Sequence, residues 1–174
     1  MRKEFILIAS LFLTLTVYSQ DYKVQKLKNI TKGNYKISRL LVITDSVPNA
    51  GVNKFISDFS SALKIEFERH KLDFICFRKG TSDVEDGKSI VDKLNPNGIL
   101  SFIPSQVFLK YTGFTQKKGL FFDLRLSYRY KDVNDFVPLF ETKIEVLFDS
   151  FENSGELAAK DFFNKMVKEK YLAL

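Results

Sequence analysis

Histidine and cysteine occur once each in this chain of 174 residues, and tryptophan not at all. Each scarcity removes a class of chemistry. Nucleophilic triads and zinc sites both lean on histidine, and the only one, His70, stands between Arg69 and Lys71. That setting reads as a solvent-facing residue complementing a helix C-terminus. One histidine and one cysteine do not make a usual zinc site. A Ser-His-Asp triad would need His70 oriented by an acid beside a serine, and no nucleophile-elbow pattern is present. No metal or cofactor is expected. Cys76 alone closes no intramolecular disulfide. Its place in the run Phe74-Ile75-Cys76-Phe77 predicts a buried, inert thiol in a strand buried on both faces.

Long apolar runs are also scarce. The longest, Phe5 to Val17, follows Arg2 and Lys3 and ends at Tyr18-Ser19-Gln20. This order of charge, apolar core and small residues is that of a secretory signal peptide. The run is shorter than the roughly 20 residues a spanning helix needs. The reading is a leader over 1–20, an extended lead-in over 21–36 and one domain over 37–174. No cysteine lies near Ser19, so lipid anchoring is not expected, nor a transmembrane anchor in the mature chain. The protein is expected to be periplasmic or secreted. Its formal charge is +6, or about +5 without Arg2, Lys3 and Glu4.

What is abundant is phenylalanine, 18 residues, which predicts a phenylalanine-rich core. The pattern then gives an order of elements. Ile37 to Thr44 reads as a buried strand, and Val52 to Lys71 as an amphipathic helix through Val52, Phe55, Ile56, Phe59, Leu63 and Phe67. Leu72 to Phe77 is a second strand. Ser82 to Glu85 is a capping box opening a short helix that stops at Asn95-Pro96-Asn97-Gly98. Ile99 to Ile103 is a third strand, with Val107 to Tyr111 a separate short one, and Gly113 and Gly119 bracket a polar tip. Leu120 to Tyr130 and Pro138 to Phe148 alternate strictly, as in a half-buried antiparallel meander. Asn153 to Glu156 caps a last helix with Leu157, Ala158, Phe162, Met166 and Tyr171 inward. The fold class is α/β: a mixed sheet from a β-α-β-α-β half, then a β-meander and a C-terminal helix, with helices mainly on one face.

Candidate chemistry is sparse. Gly87-Lys88-Ser89 resembles the end of a phosphate loop, but Ser82 stands where that pattern needs glycine. Glu141 and Glu145 are roughly 13 Å apart along a strand, beyond the separation glycosidases use. An ion-paired outer face made by Asp123, Arg125, Arg129, Glu141 and Lys143 accounts better for these acids. Asp45 and Ser46 follow the first strand, where open α/β sheets bind ligands, and equally serve as a turn. The mixture of arginine and aromatics at 121–130 falls on two faces, so no nucleic acid is expected.

The segments RLLVITD, NKFISDFSSALKIEFERH, DFICF, IVDKLNPNGILSFIPS, FFDLRLSYRYKDVNDFVPLFETKIEVLF and AAKDFFNKMVKEKY together resemble, in element order, the amino-terminal domain of the periplasmic translocation protein TolB and related envelope accessory domains. The resemblance covers most of the mature chain and implies a noncatalytic envelope binding module, with no site residue to carry over. The expected function is therefore an exported interaction domain for an envelope protein or polymer. Candidate contacts are the outer face above and the Lys117-Lys118 tip. A small carboxylate-dependent envelope hydrolase, or a small-ligand binder at Asp45 and Ser46, are the alternatives. The oligomeric state is not legible.

Overall fold

The computed structural model describes residues 22–24, 28–29, 35–79, 87–112, 114–129, 135–148 and 154–174. The leader expected over 1–20, the capping box expected at Ser82, residues 130–134 and Asn153 lie outside these residues. In chain order the elements are β1 (Tyr22–Val24), β2 (Lys28–Asn29), β3 (Arg39–Asp45), α1 (Ala50–Arg69), β4 (Asp73–Lys79), α2 (Gly87–Leu94), β5 (Gly98–Thr112), β6 (Thr115–Tyr128), β7 (Val137–Leu147) and α3 (Ser154–Lys168).

One mixed sheet runs β1-β7-β6-β5-β3-β4, with β2 also on β7. β3 pairs parallel with β4 and β5, while β5, β6 and β7 are antiparallel. The expected mixed α/β architecture is the observed one. Two pieces of the lead-in, β1 and β2, add to the β7 edge.

The core lies between the sheet and the two long helices, α1 and α3, which pack on each other. Phe55, Phe59 and Phe67 of α1, Phe102 of β5, Phe122 of β6, Phe140 of β7 and Phe162 of α3 are all in it. The alternation fixes which β6 and β7 residues join them: Leu120, Phe122, Leu124 and Leu126 against Val146, Ile144, Thr142 and Phe140. The short α2 packs on β3 and β4. Its crossover returns over β3 to β5, so right-handedness puts it on the face opposite α1. Leu41, which points to that side, is buried accordingly.

Three expectations need correction. Leu157 is exposed, because the buried stripe of α3 runs through Gly155, Ala158, Ala159, Phe162, Phe163 and Met166. Gly155 sits in it because α1 passes so closely that a Cβ there would lie 2.4 Å from the Phe55 carbonyl oxygen. Among the described residues β4 ends the sheet and is only half covered, since its apolar run packs on two faces but has no strand beyond it. β5 is a single strand of 15 residues. It passes through Pro104 by a bulge at Ser105, after which Gln106 faces Phe121.

Helices α1 and α3 both end in a Schellman motif. Leu72 N–H donates to Phe67 O and Lys71 N–H to Glu68 O; Tyr171 and Lys170 repeat this at Met166 and Val167. Lys71 (φ 57°) and Lys170 (φ 59°) occupy the left-handed position. A side chain there costs roughly 1 kcal/mol relative to glycine. Lys71→Gly is therefore expected to stabilise the fold by about 1 kcal/mol, read as a raised urea midpoint. A lowered midpoint would show that the lysine side chain contributes more than the strain costs.

Candidate functional site

The meander carries a charged outer face. Strict alternation places Asp123 and Arg125 of β6 away from the core, and the register sets Lys143 and Glu141 of β7 directly opposite them. Arg125 Nε donates to Glu141 Oε1 at 2.5 Å, and Lys143 Nζ lies 3.5 Å from Asp123 Oδ1. Asp123, Arg125 and Glu141, with Ile103, Leu124 and Thr142, line an open depression of about 340 Å³. Asp123 and Glu141 thus share one surface, each facing a base. All four side chains are substantially exposed, so each pair is worth no more than about 1 kcal/mol.

Arg129 is not part of this group. A bulge between Leu126 and Ser127 breaks the register before it. Its guanidinium donates to Asn95 Oδ1 and lies 5.3 Å from the Phe136 ring centroid. It tethers the end of β6 to the loop before β5.

Asp45 and Ser46 sit at the C-terminal end of β3. Lys79 Nζ is 3.8 Å from Asp45 Oδ1, and Ser46 N–H donates to Lys79 O. The following residues build the entry to α1. Asn49 caps it by accepting from Val52 N–H at 2.9 Å, and Asn53 Oδ1 accepts from Val47 N–H. The turn therefore has a complete structural role beside any ligand role.

Lys117 and Lys118 are not at a loop tip. β5 ends at Thr112 and β6 begins at Thr115, and both lysines lie on β6 opposite Lys110 and Leu109. They belong to a two-stranded arm that continues beyond the part of the sheet covered by helices. On this arm Val107 (57% exposed), Leu109 (51%) and Tyr111 (72%) share the face that carries Leu120, with Phe114 at the turn fully exposed. On the other face Phe108 packs on Phe121 at 4.4 Å between centroids, and Lys143 lies 5.3 Å from the Phe121 ring. From Lys93 to Phe122 the chain has no acidic residue. Sequence reasoning found the lysines and missed the apolar stripe, because Pro104 appeared to end the strand. The acid-free stretch was the available signal.

His70 is the exposed C-cap residue of α1 and stacks on Phe163 at 5.1 Å. Cys76 corrects the expectation of a buried thiol: it is exposed on the β4 edge. Its side chain points toward α1, beside Ser60 and Thr44. Local desolvation raises the thiol pKa, against smaller opposing effects of Ser60, Arg78 and Thr44. No group of three or more metal-ligating side chains occurs among the described residues. Among them, too, no helix is long and apolar enough to cross a membrane.

No family model matches the chain, and no curated protein does. Among solved structures, the chain is similar to PelC dodecamers from Paraburkholderia phytofirmans, in native and variant form. The TM-scores are 0.46 and 0.47, with 10% and 12% identity over 87% of this chain and 99% and 98% of theirs. It is also similar to a PDZ domain protein from Parabacteroides distasonis, with a TM-score of 0.37 and 11% identity over 94% of this chain and 40% of that one. These are distant likenesses of fold and transfer no residue role. They do not extend the TolB-type resemblance.

Proposed function

We propose that this protein is an exported, noncatalytic interaction domain of the cell envelope that holds an acidic protein or polymer through the β5–β6 arm and the adjoining outer face. The observation that carries this reading is the arm itself. A two-stranded projection with Val107, Leu109, Tyr111 and Phe114 exposed and with Lys110, Lys117 and Lys118 as its charges is costly to leave in water. Apolar anchors rimmed by one sign of charge fit a partner of opposite charge. Export rests on the leader sequence. The hydrolase alternative requires two acids converging on an enclosed substrate, whereas Asp123 and Glu141 face Lys143 and Arg125 on an open surface.

The test is crosslinking capture of tagged mature protein from its native envelope. Reversal of Lys110, Lys117 and Lys118 to glutamate, or Phe114→Ser, is expected to lower the captured partner about tenfold or more. Arg125→Glu should lower it less. Undiminished capture by both arm variants would refute the reading.

A further inference from the structure

We infer that strand β4 is a docking edge for a second copy of this chain, with two β4 strands pairing antiparallel about Cys76. Among the described residues β4 pairs only with β3. It presents seven residues, Asp73-Phe74-Ile75-Cys76-Phe77-Arg78-Lys79, with no proline, glycine or bulge. Such an edge turns backbone groups outward, where another strand can pair with them. Among the described residues the opposite edge holds the shorter pieces β1 and β2.

The backbone fixes how a partner would sit. Asp73 N–H donates to Ser38 O at 2.9 Å, and Lys79 O accepts from Ser46 N–H at 3.3 Å, so these positions face β3. Strand alternation then turns the N–H and C=O of Phe74, Cys76 and Arg78 to the open side. A two-fold axis at Cys76 brings Cys76 opposite Cys76 and Phe74 opposite Arg78, each as a doubly hydrogen-bonded pair.

That register is self-complementary in its side chains. Asp73 falls opposite Lys79 at both ends, and both are exposed. Ile75 falls opposite Phe77 on the same face. On the other face Phe74 and Arg78 fall opposite each other, where the Arg78 guanidinium already donates to Asn53 O at 3.5 Å. Moving the axis by one residue sets Asp73 against Phe77, or Lys79 against Ile75, and loses both ion pairs. Cross-strand pairs of this kind are what specify a register. Lys79 already lies 3.8 Å from Asp45, an exposed contact that does not preclude a second one. The same argument speaks against self-association at the arm, where lysine would meet lysine. This inference is independent of the partner read there.

The sole cysteine gives the direct test. Sedimentation of the mature chain over a range of concentrations should show a monomer–dimer equilibrium. A short bifunctional thiol reagent should then yield a covalent dimer, which can form only between two Cys76 residues. Asp73→Lys or Lys79→Asp alone should weaken the dimer about tenfold, since two pairs turn repulsive at once. Asp73→Lys with Lys79→Asp should restore it. A monomer at all concentrations, a dimer that does not crosslink, or single reversals without effect in folded protein would overturn the inference. A monomer that still captured its partner through the arm would overturn this inference alone.

Discussion

Phe59→Ala is expected to destabilise the domain by about 3–5 kcal/mol, enough to leave it marginal at best. Phe59 is fully buried at the junction of the three elements that bracket the core. Its ring meets Phe102 of β5 edge-on at 4.8 Å, Phe162 of α3 at 5.9 Å and Phe55 on its own helix at 6.4 Å. Truncation removes the transfer energy of the ring and leaves a cavity whose walls come from a sheet and two helices. Those walls do not collapse together, because Gly155 already holds α3 against the α1 backbone. The aromatic pairing energy is lost as well. Phe59→Leu, which fills most of the space, should cost less than half as much. Phe121→Ala is the control on the outer face, where the neighbours are Phe108 and Lys143 and water replaces them readily. Urea unfolding followed by circular dichroism checks all three. A Phe59→Ala loss below about 1 kcal/mol, or one no larger than that of Phe121→Ala, would show that this junction does not hold the core.

The order of elements and the inward faces of β6 and β7 were legible because they follow from period alone. The same alternation that sends Phe122, Leu124 and Leu126 inward sends Asp123 and Arg125 out. A hairpin then sets them opposite Lys143 and Glu141. Three other features depend on partners distant in sequence. The run Phe74 to Phe77 records burial on two faces, and nothing in it says whether a strand lies beyond. That depends on both crossovers returning to the same side of β4. Pro104 reads locally as a strand end, yet the bulge at Ser105 absorbs it, with Ser105 Oγ donating to Phe121 O at 3.2 Å. The whole arm, and with it the apolar stripe at Val107, Leu109 and Tyr111, followed from that one local signal being overridden. Arg129 was lost from the charged face for a similar reason: a bulge after Leu126 ends the parity that the sequence extends through it. Of the surfaces proposed to carry function, charge was readable and shape was not.

Asn97 shows the same limit in a single residue and supports the second large effect. In the sequence it belongs to Asn95-Pro96-Asn97-Gly98, a helix stop, and a surface turn residue there replaced by alanine would cost about 0.5 kcal/mol or less. In the fold its side chain joins the start of β3 to the start of β5. Oδ1 accepts from Ser38 N–H at 3.1 Å and from Arg39 N–H at 3.0 Å, while Nδ2 donates to Lys36 O at 2.8 Å. Its backbone adds a bond from its own N–H to Arg39 O and accepts one from Arg129 N–H at the end of β6. Alanine removes three hydrogen bonds and leaves two amides in a part-buried site without their acceptor. At about 1 kcal/mol for each bond, the expected loss is about 3 kcal/mol. Asn97→Asp keeps both acceptor bonds, loses the donor to Lys36 O and sets a carboxylate oxygen against that carbonyl, so it should lose about half as much. The ranking separates the two readings, since a plain helix stop predicts small and nearly equal effects. Urea midpoints that fall for alanine well beyond aspartate would establish Asn97 as the tie between the parallel strands. A loss under about 1 kcal/mol for alanine would return it to the role of a turn residue.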